Sequence, residues 1–357
     1  MTAKAVFLDT SVLPRDPNGN QDSRVLKELV DAGIIEVHTS TIVVREWTTQ
    51  RQIEFEKKFS DAISAVDSIK RHPWASSISG VDEIATSLAP TLEEARKVSQ
   101  AKCEEFFDQL GCQLVGIEPA AAESAFSSYF EGLPPFGSIK NRKDIPDAFI
   151  FEALKTVAEN QPVLVAINDG RLADAADSLD NVTVFPDIKN LVASLQPQLD
   201  EHKQFQSLMA LLKADQPSLL TELQTLAENQ FDGMEICHSE IPEDNSSATI
   251  NGYYTIDDVD FDWDKVEDYG TGWLSIPFEF TVELDLFFYV YRSDAFDVPE
   301  WVHVSIGDFE NDHYFEAEGT KQFTFTGMLS AKFSAEEIED GSWPEDFEVD
   351  DLEITDD

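Results

Sequence analysis

Two short runs constrain the fold most: Ala5-Val6-Phe7-Leu8 and Pro162-Val163-Leu164-Val165-Ala166-Ile167, neither holding a polar side chain. Apolar runs of this length that do not alternate suit strands buried on both faces, as in a parallel sheet covered by helices. Each run stops at a polar triplet, Asp9-Thr10-Ser11 and Asn168-Asp169-Gly170. In an open parallel sheet the crevice beyond the carboxyl ends of the strands is where ligands bind. Asp9 and Asp169 are therefore candidate site residues by position alone.

The first ~190 residues alternate strand and helix patterns. Ser23–Gly33 carries Val25, Leu26, Leu29 and Val30 on one helical face, and Ile34–Thr39 follows as a short strand. From Ser40 or Thr41, a plausible N-cap, one long polar helix runs from Ile42 to about Ile69 and carries Glu46. Residues 90–111 predict another, opened by Thr91 with Glu94 three residues on, the capping-box spacing. Ala120–Phe130 reads as helix, and Leu133-Pro-Pro-Phe-Gly137 as a breaker. Ile145–Leu154 is a helix with Pro146 in its first turn. Strand 162–167, helix 170–179, strand 182–185 and helix 187–196 complete an α/β unit over 1–197, with a helical insert at about 50–132.

Residues 198–240 read as a helical linker. From about Ile241 aromatic and β-branched residues alternate with polar ones, which predicts four to six antiparallel strands, a small sandwich or curved sheet over 241–335. Glu336–Asp357 is mostly acidic and predicts a disordered tail. Asp257–Asp264 tempts a calcium-loop reading, but counting from Asp260, Lys265 and Thr271 stand where such a loop needs Gly and Glu. An edge strand with a charged face fits better.

The chain has 357 residues and a formal charge of −45, and residues 201–357 hold 39 acids against 6 bases, a net of −33. That excludes a broad basic nucleic-acid footprint, leaving local basic patches or metal ions to meet phosphate. No apolar stretch reaches the ~20 residues of a membrane helix, and the start lacks the pattern of a signal peptide. The three scattered cysteines fit neither a disulfide framework nor a zinc site, so a cytoplasmic protein is expected. The six histidines show no ligand spacing.

Four acids flank the elements of the first unit: Asp9, Glu46, Asp147 and Asp169. Singly each has a bland explanation: a turn cap, a solvated helix residue, a first-turn acid favoured by the helix dipole, a turn pair. Phosphodiester hydrolysis, however, needs an activated water and a stabilised leaving oxygen, and divalent ions held by carboxylates supply both. Clustered carboxylates without a cation repel one another. The spelling around them, Val6-Phe-Leu-Asp9-Thr-Ser-Val-Leu13, Val44-Arg-Glu46, Ile145-Pro-Asp147-Ala-Phe-Ile-Phe-Glu-Ala153 and Ala166-Ile-Asn-Asp169, resembles the ordered motifs of PIN-domain nucleases over about residues 4–190. The larger PIN-like bacterial proteins, with a helical insert and a C-terminal extension, are the closer likeness.

The resemblance implies an endoribonuclease with magnesium or manganese held by Asp9, Glu46, Asp147 and Asp169 as catalytic residues, in a family associated with toxin and defence contexts. Ser11 stands where the family usually has Asn, and its hydroxyl can bond a metal water or the turn. Asp144, Asp174 and Asp177 are reserve acids. Lys140, Arg142 and Lys143 form the basic cluster nearest the site in sequence, with Arg45 and Arg171 at its rim, for an RNA substrate; Arg51, Lys57 and Lys58 lie further along the long helix. The acidic half is expected to solubilise, to recruit a basic protein, or to restrain the nuclease by mimicking nucleic acid. The alternatives are a non-catalytic interaction module on the same fold and a structure-specific DNA nuclease.

Overall fold

The computed structural model describes residues 3–16, 18–74, 80–242, 246–270, 272–306 and 313–355. The chain divides into two compact units, Met1–Asp200 and Glu201–Asp357.

In the first unit, β1 (Lys4–Leu8), β2 (Ile35–Ser40), β3 (Gln113–Val115), β4 (Val163–Ala166) and β5 (Val182–Phe185) make a parallel sheet in the order β3-β2-β1-β4-β5. β1 is central, and Ala5, Val6, Phe7 and Leu8 are fully buried. The chain builds outward from β1 to one side, then returns to place β4 against β1 on the other. The strand order therefore reverses between β1 and β4, and their carboxyl ends bound the crevice such sheets use for ligands.

The helices are α1 (Gln21–Asp31), α2 (Thr41–Lys70), α3 (Val81–Gln109), α4 (Pro119–Glu131), α5 (Ile145–Ala158), α6 (Gly170–Asp177) and α7 (Ile188–Ala214). Ser40 caps α2 by accepting from the Ile42 amide, one of the orphan donors of a helix start. α3 begins ten residues before Thr91, so the expected capping box is helix interior; the run before it is made largely of residues that tolerate helix. Nor is the segment at 50–132 a purely helical insert. Cys103, Phe106, Phe107 and Leu110 of α3 and its end join the main core, Trp47 meeting Phe106 and Phe107 at 5.2 and 5.4 Å. β3 then adds an edge strand beside β2 that three residues of weak pattern did not announce.

The second unit is one antiparallel sheet of seven strands: β6 (Glu235–Cys237), β7 (Ser247–Phe261), β8 (Glu267–Asp268), β9 (Trp273–Tyr291), β10 (Val302–Val304), β11 (Tyr314–Lys332) and β12 (Asp346–Ile354). β9 and β11 pair along their full lengths, from Tyr291 opposite Tyr314 to Trp273 opposite Lys332. Their outer edges are each shared by shorter strands: β10 and β12 on β11, β7 and β8 on β9. Alternate residues of β9, Leu274 to Val290, are buried. They share a core with Leu208 and Leu212 of α7 and with Leu219, Leu223, Ala227 and Phe231 of α8 (Gln216–Phe231).

Two expectations are corrected here. The segment read as a helical linker carries a buried leucine face that this sheet covers, so it belongs to the unit's core. The acidic tail is not disordered through its length: after α9 (Ala335–Asp340), Asp346–Ile354 is β12, pairing with Phe325–Lys332 and burying Phe347, Val349 and Leu352. Its acids alternate with those apolar residues except at Asp350-Asp351, where the pairing with β11 shifts register, and the near period of two decides over the charge. Among the described residues no helix is long and apolar enough to cross a membrane.

Candidate functional site

The carboxyl edge of the parallel sheet collects three helix N-termini, those of α2, α5 and α6, each with partial positive charge that favours acids. Asp9 follows β1 directly and is 3% exposed. Its Oδ2 accepts from the Ser11 amide at 2.9 Å and from the Ser11 hydroxyl, while Ser11 Oγ accepts from the Asn168 amide at 2.9 Å. Ser11 thus ties the end of β1 to the turn after β4. Asp169 caps α6, accepting from the amides of Arg171 and Leu172 at 3.0 and 3.1 Å. Glu46, in the second turn of α2, accepts from Thr10 Oγ1 at 2.9 Å. Thr39 Oγ1 donates to the Leu8 carbonyl at 2.7 Å, locking the ends of β1 and β2 together.

Asp147 lies in the first turn of α5, and among the described residues no donor reaches its carboxylate. Burial pushes its pKa up from 3.8 to about 6, and Asp169, Asp9, Glu46 and Asp144 add repulsion, in that order. Burial likewise raises Asp9, against the Ser11 and Thr10 hydrogen bonds that lower it, with Asp169 adding to the rise. The four acids named from sequence are therefore brought near enough that Asp9, Glu46 and Asp169 all act on Asp147. Clustered carboxylates of this kind suit a cation bound through oxygen. As the side chains are oriented, among the described residues no three of Asp, Glu, His and Cys converge on one ion-sized point.

The reserve acids separate. Asp174 and Asp177 are exposed on α6. Asp144 is buried and saturated: its Oδ2 accepts from the Gly137 amide (3.0 Å), Asn141 Nδ2 (2.7 Å) and Arg171 Nη1 (2.9 Å). That carboxylate holds the 137–144 loop to α6. Arg171 is consequently engaged in an ion pair rather than free at the rim, and a Cβ at residue 137 would collide with its guanidinium.

The basic cluster is split by the structure. Lys140 adopts a positive φ of 59° and lies 5.7 Å from the Phe130 ring centre. Arg142 and Lys143 are exposed on a short 3-10 turn leading into α5, and Arg45 is exposed beside Glu46. Among the described residues none of these three meets a carboxylate at ion-pair distance, unusual company in so acidic a chain. Thr10 and Thr39 went unnoticed in the sequence, although Thr10 lies inside the Asp-Thr-Ser triplet and a hydroxyl beside an acid at a strand end is a fair signal.

A family model described as the PIN domain matches residues 6–169, a fold generally used by metal-dependent nucleases. No curated protein and no solved structure matches the chain.

Proposed function

We propose that this chain, placed in the PIN-domain family by residues 6–169, is a cytoplasmic, divalent-metal-dependent endoribonuclease. The observation carrying the reading is Asp147, a carboxyl raised to about 6 by burial and by four further acids around it. An acid cluster that costs stability by itself is best explained by a cation it is built to receive.

Asp9, Glu46, Asp147 and Asp169 would hold magnesium or manganese, which supplies Lewis acidity and a water of lowered pKa when bound. The chain's own contributions are positional. Ser11 and Thr10 orient Asp9 and Glu46 through hydrogen bonds. The Asp144–Arg171 pair fixes the loop that carries Arg142 and Lys143. Those two cations and Arg45 offset the phosphate charge where the acids would otherwise repel it.

The test is cleavage of end-labelled single-stranded RNA and DNA by the full chain, titrated with magnesium and manganese. Cleavage of RNA is expected, and Asp9→Asn and Glu46→Gln should lower the rate about 100-fold or more, since several kcal/mol of charge stabilisation depend on the ion. Wild-type rates in both variants would reject the assignment; cleavage of DNA alone would move the substrate.

A further inference from the structure

A second feature of the first unit lies along α2, beyond the carboxylates. The loop after β1 is stitched to this helix twice: Trp47 Nε1 donates to the Pro14 carbonyl at 3.1 Å, and Arg51 Nη1 to the Arg15 carbonyl at 3.3 Å. Those bonds hold Arg15 against the face of α2 formed by Arg51, Phe55, Lys58 and Phe59, spaced i, i+4, i+7 and i+8. α3 closes the other side with Lys102, and the groove between them has a volume of about 440 Å³.

Its chemistry inverts that of the chain. Four of its lining residues are cationic and two, Glu54 and Glu94, anionic, against 25 bases and 70 acids overall. Arg51 pairs with Glu54 and Lys102 with Glu105; Arg15 and Lys58, among the described residues, pair with no acid. The Nε of Arg51 is buried without a hydrogen-bond acceptor. Phe55 and Phe59 meet in a T-shaped contact with ring centres 5.2 Å apart, and Phe55 remains 39% exposed. An exposed aromatic ring among unpaired cations is the combination that stacks a base and holds its phosphates.

We infer that this groove is a nucleotide-binding subsite for single-stranded RNA, with a base on Phe55 and backbone phosphates on Arg15 and Lys58. Phe55 is nine residues past Glu46, about 14 Å along the helix at 1.5 Å per residue. That places the subsite a few nucleotides of extended strand from the acids. The inference rests on the nuclease reading for its substrate class, but its geometry shares no residue with the acid cluster.

The experiment is fluorescence anisotropy of a labelled 12-nucleotide single-stranded RNA with the full chain in EDTA, so that binding is read without turnover. Phe55→Leu keeps an apolar side chain but cannot stack, and should weaken binding about tenfold, whereas Phe55→Tyr should restore it. Lys58→Gln should reduce the slope of log affinity against log salt by about 0.7. Equal melting temperatures for wild type and variants exclude unfolding as the cause. Wild-type affinity in Phe55→Leu, or equal losses in Leu and Tyr variants, overturns the subsite while leaving the nuclease reading intact. Absence of any RNA binding overturns both. Loss in Phe55→Leu by a chain that never cleaves RNA keeps the subsite and removes the nuclease.

Discussion

Replacing Asp147 with Asn should make the protein more stable while disabling it. The raised pKa means the folded chain prefers Asp147 protonated, whereas the unfolded chain ionises it near 3.8. Below 3.8 the carboxyl is neutral in both states and costs nothing; as pH rises from 3.8 to about 6 the cost accrues, and above that it is complete. A rise of this size corresponds to at most ~3 kcal/mol. Asp147 keeps part of its surface in water, so screening reduces that to roughly 1–2 kcal/mol. The first-turn position on α5 offsets roughly 0.3–1 kcal/mol of it through the helix dipole. Asp147→Asn should therefore gain about 1 kcal/mol at pH 8, a rise of about 2–4 °C in the first unit's melting transition, and about half that at pH 5. Scanning calorimetry at the two pH values measures both figures. Manganese or magnesium should reverse the order, stabilising wild type by RT ln(1 + [M]/Kd) and the variant less. A variant no more stable than wild type at pH 8, or a gain that does not depend on pH, would refute the reasoning.

Two other perturbations follow from single contacts. Asp144→Ala removes three hydrogen bonds, to the Gly137 amide, Asn141 Nδ2 and Arg171 Nη1, and should cost about 2–3 kcal/mol at roughly 1 kcal/mol net for each; urea unfolding of the first unit checks it, and a change below about 0.5 kcal/mol would contradict the tie. Deleting residues 342–357 removes β12 with Phe347, Val349 and Leu352, worth roughly 1.5–3 kcal/mol each. The second unit should then melt far lower and become protease-sensitive, whereas an unordered tail would leave both unchanged.

The apolar runs at 5–8 and 162–167 announced the central strand pair, because burial on both faces leaves a composition no other element shares. The placement of the four acids was legible for a related reason: Asp9 and Asp169 follow strands, Asp147 and Glu46 lie in the first and second turns of helices, and parallel topology collects those ends on one edge. What they do there was not legible. The motif ranked Asp147 above Asp144, but nothing in the sequence told that Asp144 would be buried under three donors and Asp147, three residues on, would meet none. The second unit was harder. Its β9 pattern was clear, but β12 was hidden by acid content that reads as solvated, and the leucines of α8 read as a bridge because their partner, the even face of β9, lies about fifty residues ahead. β3 has three residues, too few for any periodicity to show.

The bond between Asp144 and Arg171 has a mechanical meaning. Asp144 leads by three residues into Asp147, and Arg171 trails Asp169 by two, so a single guanidinium–carboxylate strut spans the roots of two helices that each present an acid. The gap between those two helix starts is set by an arginine already in place. A Cβ at residue 137 would run into Arg171 Nη1 and push the guanidinium from its place on Asp144, so a glycine seven residues before that acid leaves the room in which the strut closes.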